Sequence, residues 1–334
     1  MKKPFSVTIV ILLSIFCFIN EFTAKFFISF AVPRITISNK KVSKYVALLD
    51  RGNLSNGIFK KEVIPQEENI GETLEENAAG ISEELLEQSY YEVTLDWSSM
   101  LKNLTTYKVD VNKLVQEKLK FQLSKNDVET IIYHTHTTEA YTQSEDYLYE
   151  ESGVYRTLNN DANMIKIGEE LKRNLQKKGF GVFHDKTIYD YPDYNSSYSK
   201  AGKGILETLD KYKKAKIVLD VHRDAISVNT EQYKPVVQIG GKKVAQFLIV
   251  IGTNQGGLNH PAWRENLKLA LKIKQLADQK YPGLCRCVIL RKERFNQQVT
   301  NGAMIVEMGA TGNTVEEVLE TTKYFSEILA EVCK

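Results

Sequence analysis

Past Lys125 the chain alternates short β-rich runs with longer stretches whose apolar residues recur every three to four positions. That texture belongs to βαβ units closing a largely parallel sheet. The runs Thr130–Tyr133, Gly181–Phe183, Ile217–Val221, Gln246–Gly252, Val288–Leu290 and Met304–Glu307 are expected strands. The spacing predicts helices over Asp161–Lys178, where Ile165, Ile167, Leu171 and Leu175 make a stripe to bury, and over Lys200–Lys213, Trp263–Lys280 and Thr314–Val332. Val236–Ile239 and Val244–Ile251 flank Gly240-Gly241 and predict a hairpin inserted on one edge. The expected fold class is α/β: a single open, mostly parallel twisted sheet flanked by helices, built by residues 126–334.

Residues 33–125 lack this rhythm. Glu67 to Glu87 is Glu-rich with few large apolar residues and reads as a solvated linker, while Tyr107–Leu123 is expected to form a lead-in helix. Ahead of them, Lys2 and Lys3 precede an uncharged run from Phe5 to Ile19, and a second apolar stretch, Phe26–Val32, follows Lys25. No small-x-small cleavage site follows Glu21, so residues 1–32 read as an uncleaved membrane anchor, with a cleaved signal as the alternative. The two lysines would keep the start of the chain in the cytoplasm and send the rest outside.

Charge changes the picture by exclusion. Lys and Arg total 44 against 42 Asp and Glu, a net charge of +2, so the global basic field that nucleic-acid binding requires is missing. Four cysteines make no disulfide framework: Cys17 lies in the apolar run, Cys333 near the end, and Cys285 and Cys287 on one face of an expected strand, where thiols pack into cores.

Chemistry enters where apolar strands end in polar residues. His134-Thr-His136-Thr-Thr-Glu139 follows the first strand, His222-Arg223-Asp224 follows the third, and Glu307 ends Met304–Val306. In open parallel sheets such ends converge on one ligand-binding edge. Zinc hydrolases need three neutral or anionic ligands, an open position for water and a carboxylate to take its proton. His136, Glu139 and His222 supply the ligands and Glu307 the base; His134 competes with His136 as ligand, or supports it. Arg223 and Asn313 are candidates to stabilise an oxyanion. His184 and His260 are expected in ordinary packing roles, and Trp263, Arg264 and Asn266 either shape a substrate groove or merely start a helix.

At these residues the chain resembles the stage II sporulation protein P family. The likeness rests on Tyr133-His-Thr-His-Thr-Thr-Glu-Ala-Tyr141, Leu219-Asp-Val-His-Arg-Asp-Ala225, Val250-Ile-Gly-Thr-Asn-Gln-Gly-Gly-Leu-Asn-His-Pro261, Trp263-Arg-Glu-Asn-Leu267, Arg291-Lys-Glu-Arg-Phe-Asn-Gln-Gln298 and Val306-Glu-Met-Gly-Ala-Thr-Gly-Asn313. That family is similar to zinc-dependent N-acetylmuramoyl-L-alanine amidases. The resemblance implies a zinc amidase or carboxypeptidase-like fold, with His222 as the later ligand and Glu307 as the catalytic carboxylate. In the wider amidase group the carboxylate ligand precedes the first long helix, where this chain has Asn159-Asn160-Asp161; Glu139 therefore takes that role here, with Asp161 or His134 next in line. It further implies removal of stem peptides from peptidoglycan glycan strands, endopeptidase action on cross-links as a companion activity, a septal membrane location, and partnership with the stage II sporulation proteins D and M during engulfment. A non-catalytic wall-binding scaffold is the alternative.

Overall fold

The computed structural model describes residues 99–124, 127–225 and 231–334, and the backbone of short strands at 35–36, 90–95 and 227–228. The expected anchor at 1–32 and the Glu-rich linker lie outside the described residues. No helix among the described residues is long and apolar enough to cross a membrane. The chain divides into two compact units. One comprises residues 1–32, 39–91 and 227–232, and the other residues 33–38, 92–226 and 233–334. In the first, the described residues include a short antiparallel ladder of Ser227 and Val228 with Gln232 and Glu231.

In chain order the strands are β1 (Ile35–Thr36), β2 (Tyr90–Leu95), β3 (Leu101–Asn103), β4 (Val128–Tyr133), β5 (Gly181–His184) and β6 (Ile217–Asp224). They continue as β7 (Ser227–Val228), β8 (Glu231–Ile239), β9 (Lys242–Ala245), β10 (Phe247–Gly252), β11 (Cys285–Arg291) and β12 (Gly302–Ala310). The helices are α1 (Val111–Gln116), α2 (Met164–Lys177), α3 (Ser197–Lys211), α4 (Trp263–Lys280) and α5 (Val315–Val332).

The larger unit is built on a seven-stranded sheet ordered β3-β11-β10-β12-β6-β4-β5. Every neighbouring pair is parallel except β10 with β12. That one reversal sends the carboxyl ends of β12, β6, β4 and β5 to one edge and those of β10, β11 and β3 to the other. The hairpin turns at Gly240 and Gly241, whose φ of +57° and +79° suit glycine, but β8 and β9 pair in a separate ladder, not on an edge of this sheet.

Alternation along the strands sorts side chains to two cores. Leu219 and Val221 of β6 and Met304, Val306 and Met308 of β12 enter the larger core, which α2, α4 and α5 cover. Val218 and Ala303 enter the smaller one, under Ala201 and Ile205 of α3. Asp220, His222 and Glu307 follow the period of two to that second side.

Of the boundaries that depart from the sequence reading, three have an identifiable cause. Helix α2 starts after Asn163, whose side chain accepts from Ile165 N at 2.9 Å, and not at Asp161. The lead-in helix is only α1, because Leu119, Phe121 and Leu123 alternate with exposed neighbours and pack on the core as extended chain. The folded unit also begins before residue 126, since Leu101–Asn103 pairs with β11 as the sheet's outer strand.

Candidate active site

Three threonines fix the turn after β4. Thr135 donates its N–H and hydroxyl to Asp220, at 2.8 and 2.7 Å. Thr137 donates to the carbonyls of His134 and Thr187, and Thr138 gives both its groups to Asp190. With its alternate residues pegged this way, the turn directs His134 and His136 to different surroundings.

His134 is fully buried with both ring nitrogens engaged: Nδ1 lies 2.8 Å from Val221 O and Nε2 2.8 Å from His184 Nε2. A carbonyl only accepts, so the network puts the His134 proton on Nδ1. His184 Nδ1 continues the chain to Glu169 Oε1 at 2.7 Å. A Cβ at Gly168 would collide with both Nε2 atoms, so glycine makes room for this pair. The structure thus sets His134 against Val221 and His184.

His136 has an unpartnered, buried Nδ1. Its ring stacks on Tyr194 with centroids 4.5 Å apart, and meets Tyr198 and His222 edge-on at 5.5 and 5.2 Å. Burial pushes its pKa down to about 4, which keeps the ring neutral at pH 7, as coordination requires.

Glu139 gathers the cations of the cleft. Its Oε2 accepts from Arg223 N at 3.2 Å and lies 3.4 Å from His222 Nδ1, while Oε1 is 3.7 Å from Arg156. Burial would raise its pKa, but Arg223, His222 and His136 outweigh burial and hold the carboxyl well below the usual range. Arg156 also pairs with Asp190 at 2.6 Å and covers the Tyr194 ring at 4.6 Å.

Glu307 stands opposite His222 in the β12–β6 register. It is half-buried, and its Oε2 has neither solvent nor a hydrogen-bond partner. Burial, opposed by His222 and reinforced by Asp224, raises its pKa well above the carboxylate range. His222 Nε2 sits 2.8 Å from Asp220 Oδ1 without hydrogen-bond alignment. Burial disfavours the imidazolium, yet Asp220 and Glu139 more than compensate and raise the pKa.

Other expected residues are placed elsewhere. Arg223 donates Nε to Ala140 O at 2.9 Å and Nη2 to Tyr155 O at 3.2 Å, so part of its guanidinium is held by backbone carbonyls. Asn313 is fully buried between Ala310 N, Pro235 O and Glu317. Asp161 is exposed. Trp263 packs in the larger core against Tyr107, and Asn266 donates to Gln297 O. Because β10 runs against β12, α4 starts beyond the opposite edge of the sheet, away from the cleft.

Sequence reasoning missed Asp220, Arg156, Asp190 and Tyr194. Asp220 was findable, since it lies two residues before His222 on one strand face; the others sit in irregular loops with no periodic signal.

Among the described residues no three His, Cys, Asp or Glu side chains stand grouped as around a metal ion, since His222 faces Glu139 and Asp220. The donor chemistry fits zinc nonetheless. Two buried imidazole nitrogens, His136 Nδ1 and His222 Nε2, lack hydrogen-bond partners beside an ionised Glu139, and the proton His222 holds is one a metal ion displaces.

Comparison with known proteins fits this picture of the chain. The Stage II sporulation protein P of Bacillus subtilis (strain 168) is 26% identical over 212 residues, covering 60% of this chain and 50% of its own length. The chain thus spans about half the length of that relative. Among solved structures, the N-acetylmuramoyl-L-alanine amidase AmiC2 of Nostoc punctiforme matches at 12% identity and a TM-score of 0.37, over 63% of this chain and 97% of its own. The CwlD amidase of Clostridioides difficile, solved with the GerS lipoprotein, matches at 13% and 0.36, over 61% and 94%. Those likenesses are too distant to bear on chemistry. The match that decides is to the family described as Stage II sporulation protein P (SpoIIP), over residues 28–330, which takes in every residue of the cleft: the chain belongs to that family.

Proposed function

We propose that this protein is a zinc-dependent peptidoglycan hydrolase, an N-acetylmuramoyl-L-alanine amidase acting on the septal wall during sporulation engulfment. The observation that carries the reading is the unpartnered Glu307 carboxyl, in register with His222 and on the same side of the sheet. Family membership supports the sporulation setting, membrane anchoring through residues 1–32, residues 126–334 as the core of the catalytic domain, and the stage II proteins D and M as partners.

In this reading His136, Glu139 and His222 would hold zinc, which supplies Lewis acidity toward an amide carbonyl and toward water. The chain's own groups do the rest. Glu307 takes a proton from the attacking water and delivers it to the amide nitrogen as the C–N bond breaks; a carboxyl lifted toward neutrality suits both transfers. Asp220, pegged by Thr135, orients His222. Arg156 and the Arg223 N–H keep Glu139 ionised, and Tyr194 shields His136 from water.

Digestion of purified sacculi followed by mass spectrometry tests this. Intact stem peptides should leave the glycan, and Glu307→Gln should slow that release by about 10²- to 10⁴-fold with the fold retained. Loss of cross-links with peptides still on muramic acid would point to an endopeptidase instead. A Glu307→Gln protein as active as the parent would contradict the mechanism and leave the scaffold reading.

A further inference from the structure

One charged side chain near this cleft is not used by the mechanism. Arg286, on β11, is 2% exposed, next to Cys285, which enters the larger core. Its Nη1 donates to Asp224 Oδ2 at 2.8 Å. Asp224 lies two residues beyond His222 on β6, and β12 and β10 stand between β6 and β11. With strands about 4.8 Å apart, the two side chains meet over β10 and the end of β12, beside Leu248, which is the register partner of Glu307. The Glu307 carboxyl accordingly feels both Asp224 and Arg286.

Arg286 Nε and Nη2 have no hydrogen-bond partner and no solvent. These are the two N–H groups on one edge of the guanidinium, the edge that grips a carboxylate through two parallel hydrogen bonds. Asp224 occupies the other side and leaves this edge unpaired. An ion pair kept only for stability gains nothing from stranding half its donors in the interior. The Asp224 end is reachable, its side chain being 28% exposed.

We propose that Arg286 recognises a carboxylate of the stem peptide whose amide lies at Glu307, with Asp224 fixing the guanidinium so that its Nε–Nη2 edge faces the ligand. Naming a peptide as ligand rests on the hydrolase reading; the unmet donor edge does not.

Calorimetry on the full chain tests the assignment, with a free synthetic stem peptide that offers an amidase no bond to cut. Three forms are compared: all carboxylates free, the C-terminal carboxyl amidated, and the side-chain carboxyl amidated. The parent should bind the free form about tenfold or more tighter than one of the amidated forms, which also identifies the carboxylate gripped. Arg286→Gln should erase that preference, and Arg286→Lys, a point charge without the fork, should keep only part of it. Equal affinity for all three forms, no binding up to millimolar peptide, or an Arg286→Gln chain that keeps the preference would overturn the assignment. The peptide comparison on the parent needs no variant, so misfolding of Arg286→Gln does not blunt it. A carboxylate preference without sacculus digestion would sink the hydrolase reading alone, and digestion without the preference would sink Arg286 alone.

Discussion

Thr135, Thr137 and Thr138 decide which histidine meets the cleft. Their hydroxyls are satisfied by Asp220, by carbonyls and by Asp190, and the turn they fix leaves His136 Nδ1 unpartnered while His134 is enclosed by Val221 and His184. The zinc content of folded full chain, measured by mass spectrometry, should drop at least tenfold in His136→Ala and stay near the parent's in His134→Ala. The second variant should instead lose about 1–3 kcal/mol of stability, because His184 and Val221 O lose a buried partner. If only His134→Ala loses metal, the ligand set proposed above is wrong. The sequence left these two histidines undecided for a physical reason: the partners that separate them, Asp220 and His184, lie 85 and 50 residues away.

At the scale of elements, what was legible depended on length. Helix α4 has the bounds its apolar spacing predicts, and each expected strand of the sheet has its counterpart, because runs of this size show their period. The three-residue β3 is too short for any period, and the lead-in helix was expected too long because its segment switches to alternation after Glu117. The convergence of His136, His222 and Glu307 was readable because strands ending in polar groups define an edge. The antiparallel β10–β12 join was not, since no local signal encodes strand direction. Helix α2 offers a test of its start. Asn163 caps it and also donates to Thr157 O at 3.2 Å, so Asn163→Ala should cost about 1–2 kcal/mol in urea unfolding. Asn163→Ser should recover part of that, and an unchanged midpoint in the alanine variant would rule out the cap.

For the whole molecule, buried histidines set the response to acid. Burial lowers His134, His136 and His260 to about 3, 4 and 4, and lowers His184 as well. Unfolded histidine titrates near pH 6.5, so below that value the unfolded chain takes up protons at His134, His136 and His260 that the native one refuses, and the lowered His184 acts in the same direction. Glu307 acts the other way, being protonated in the native state while an unfolded carboxyl is still charged, and His222, with its raised pKa, is protonated in both states there. The balance of at least two protons makes stability fall from about pH 6.5 toward pH 4.5, by at least about 1.4 kcal/mol per unit, while above pH 6.5 it falls again as native Glu307 and His222 lose their protons. Urea midpoints at pH 7 and pH 5 check this; a flat or rising midpoint on acidification would refute it. The sheet order carries a consequence for the chain as it is made. β10 with β11 and β3 forms one half, β6 with β4 and β5 the other, and β12 alone joins them, although it leaves the ribosome after all six. The strand that welds the halves also bears Glu307. A nascent or truncated chain that lacks β12 therefore holds neither a finished sheet nor Glu307, and the proposed activity, which depends on this residue, arises only after β12 has been made.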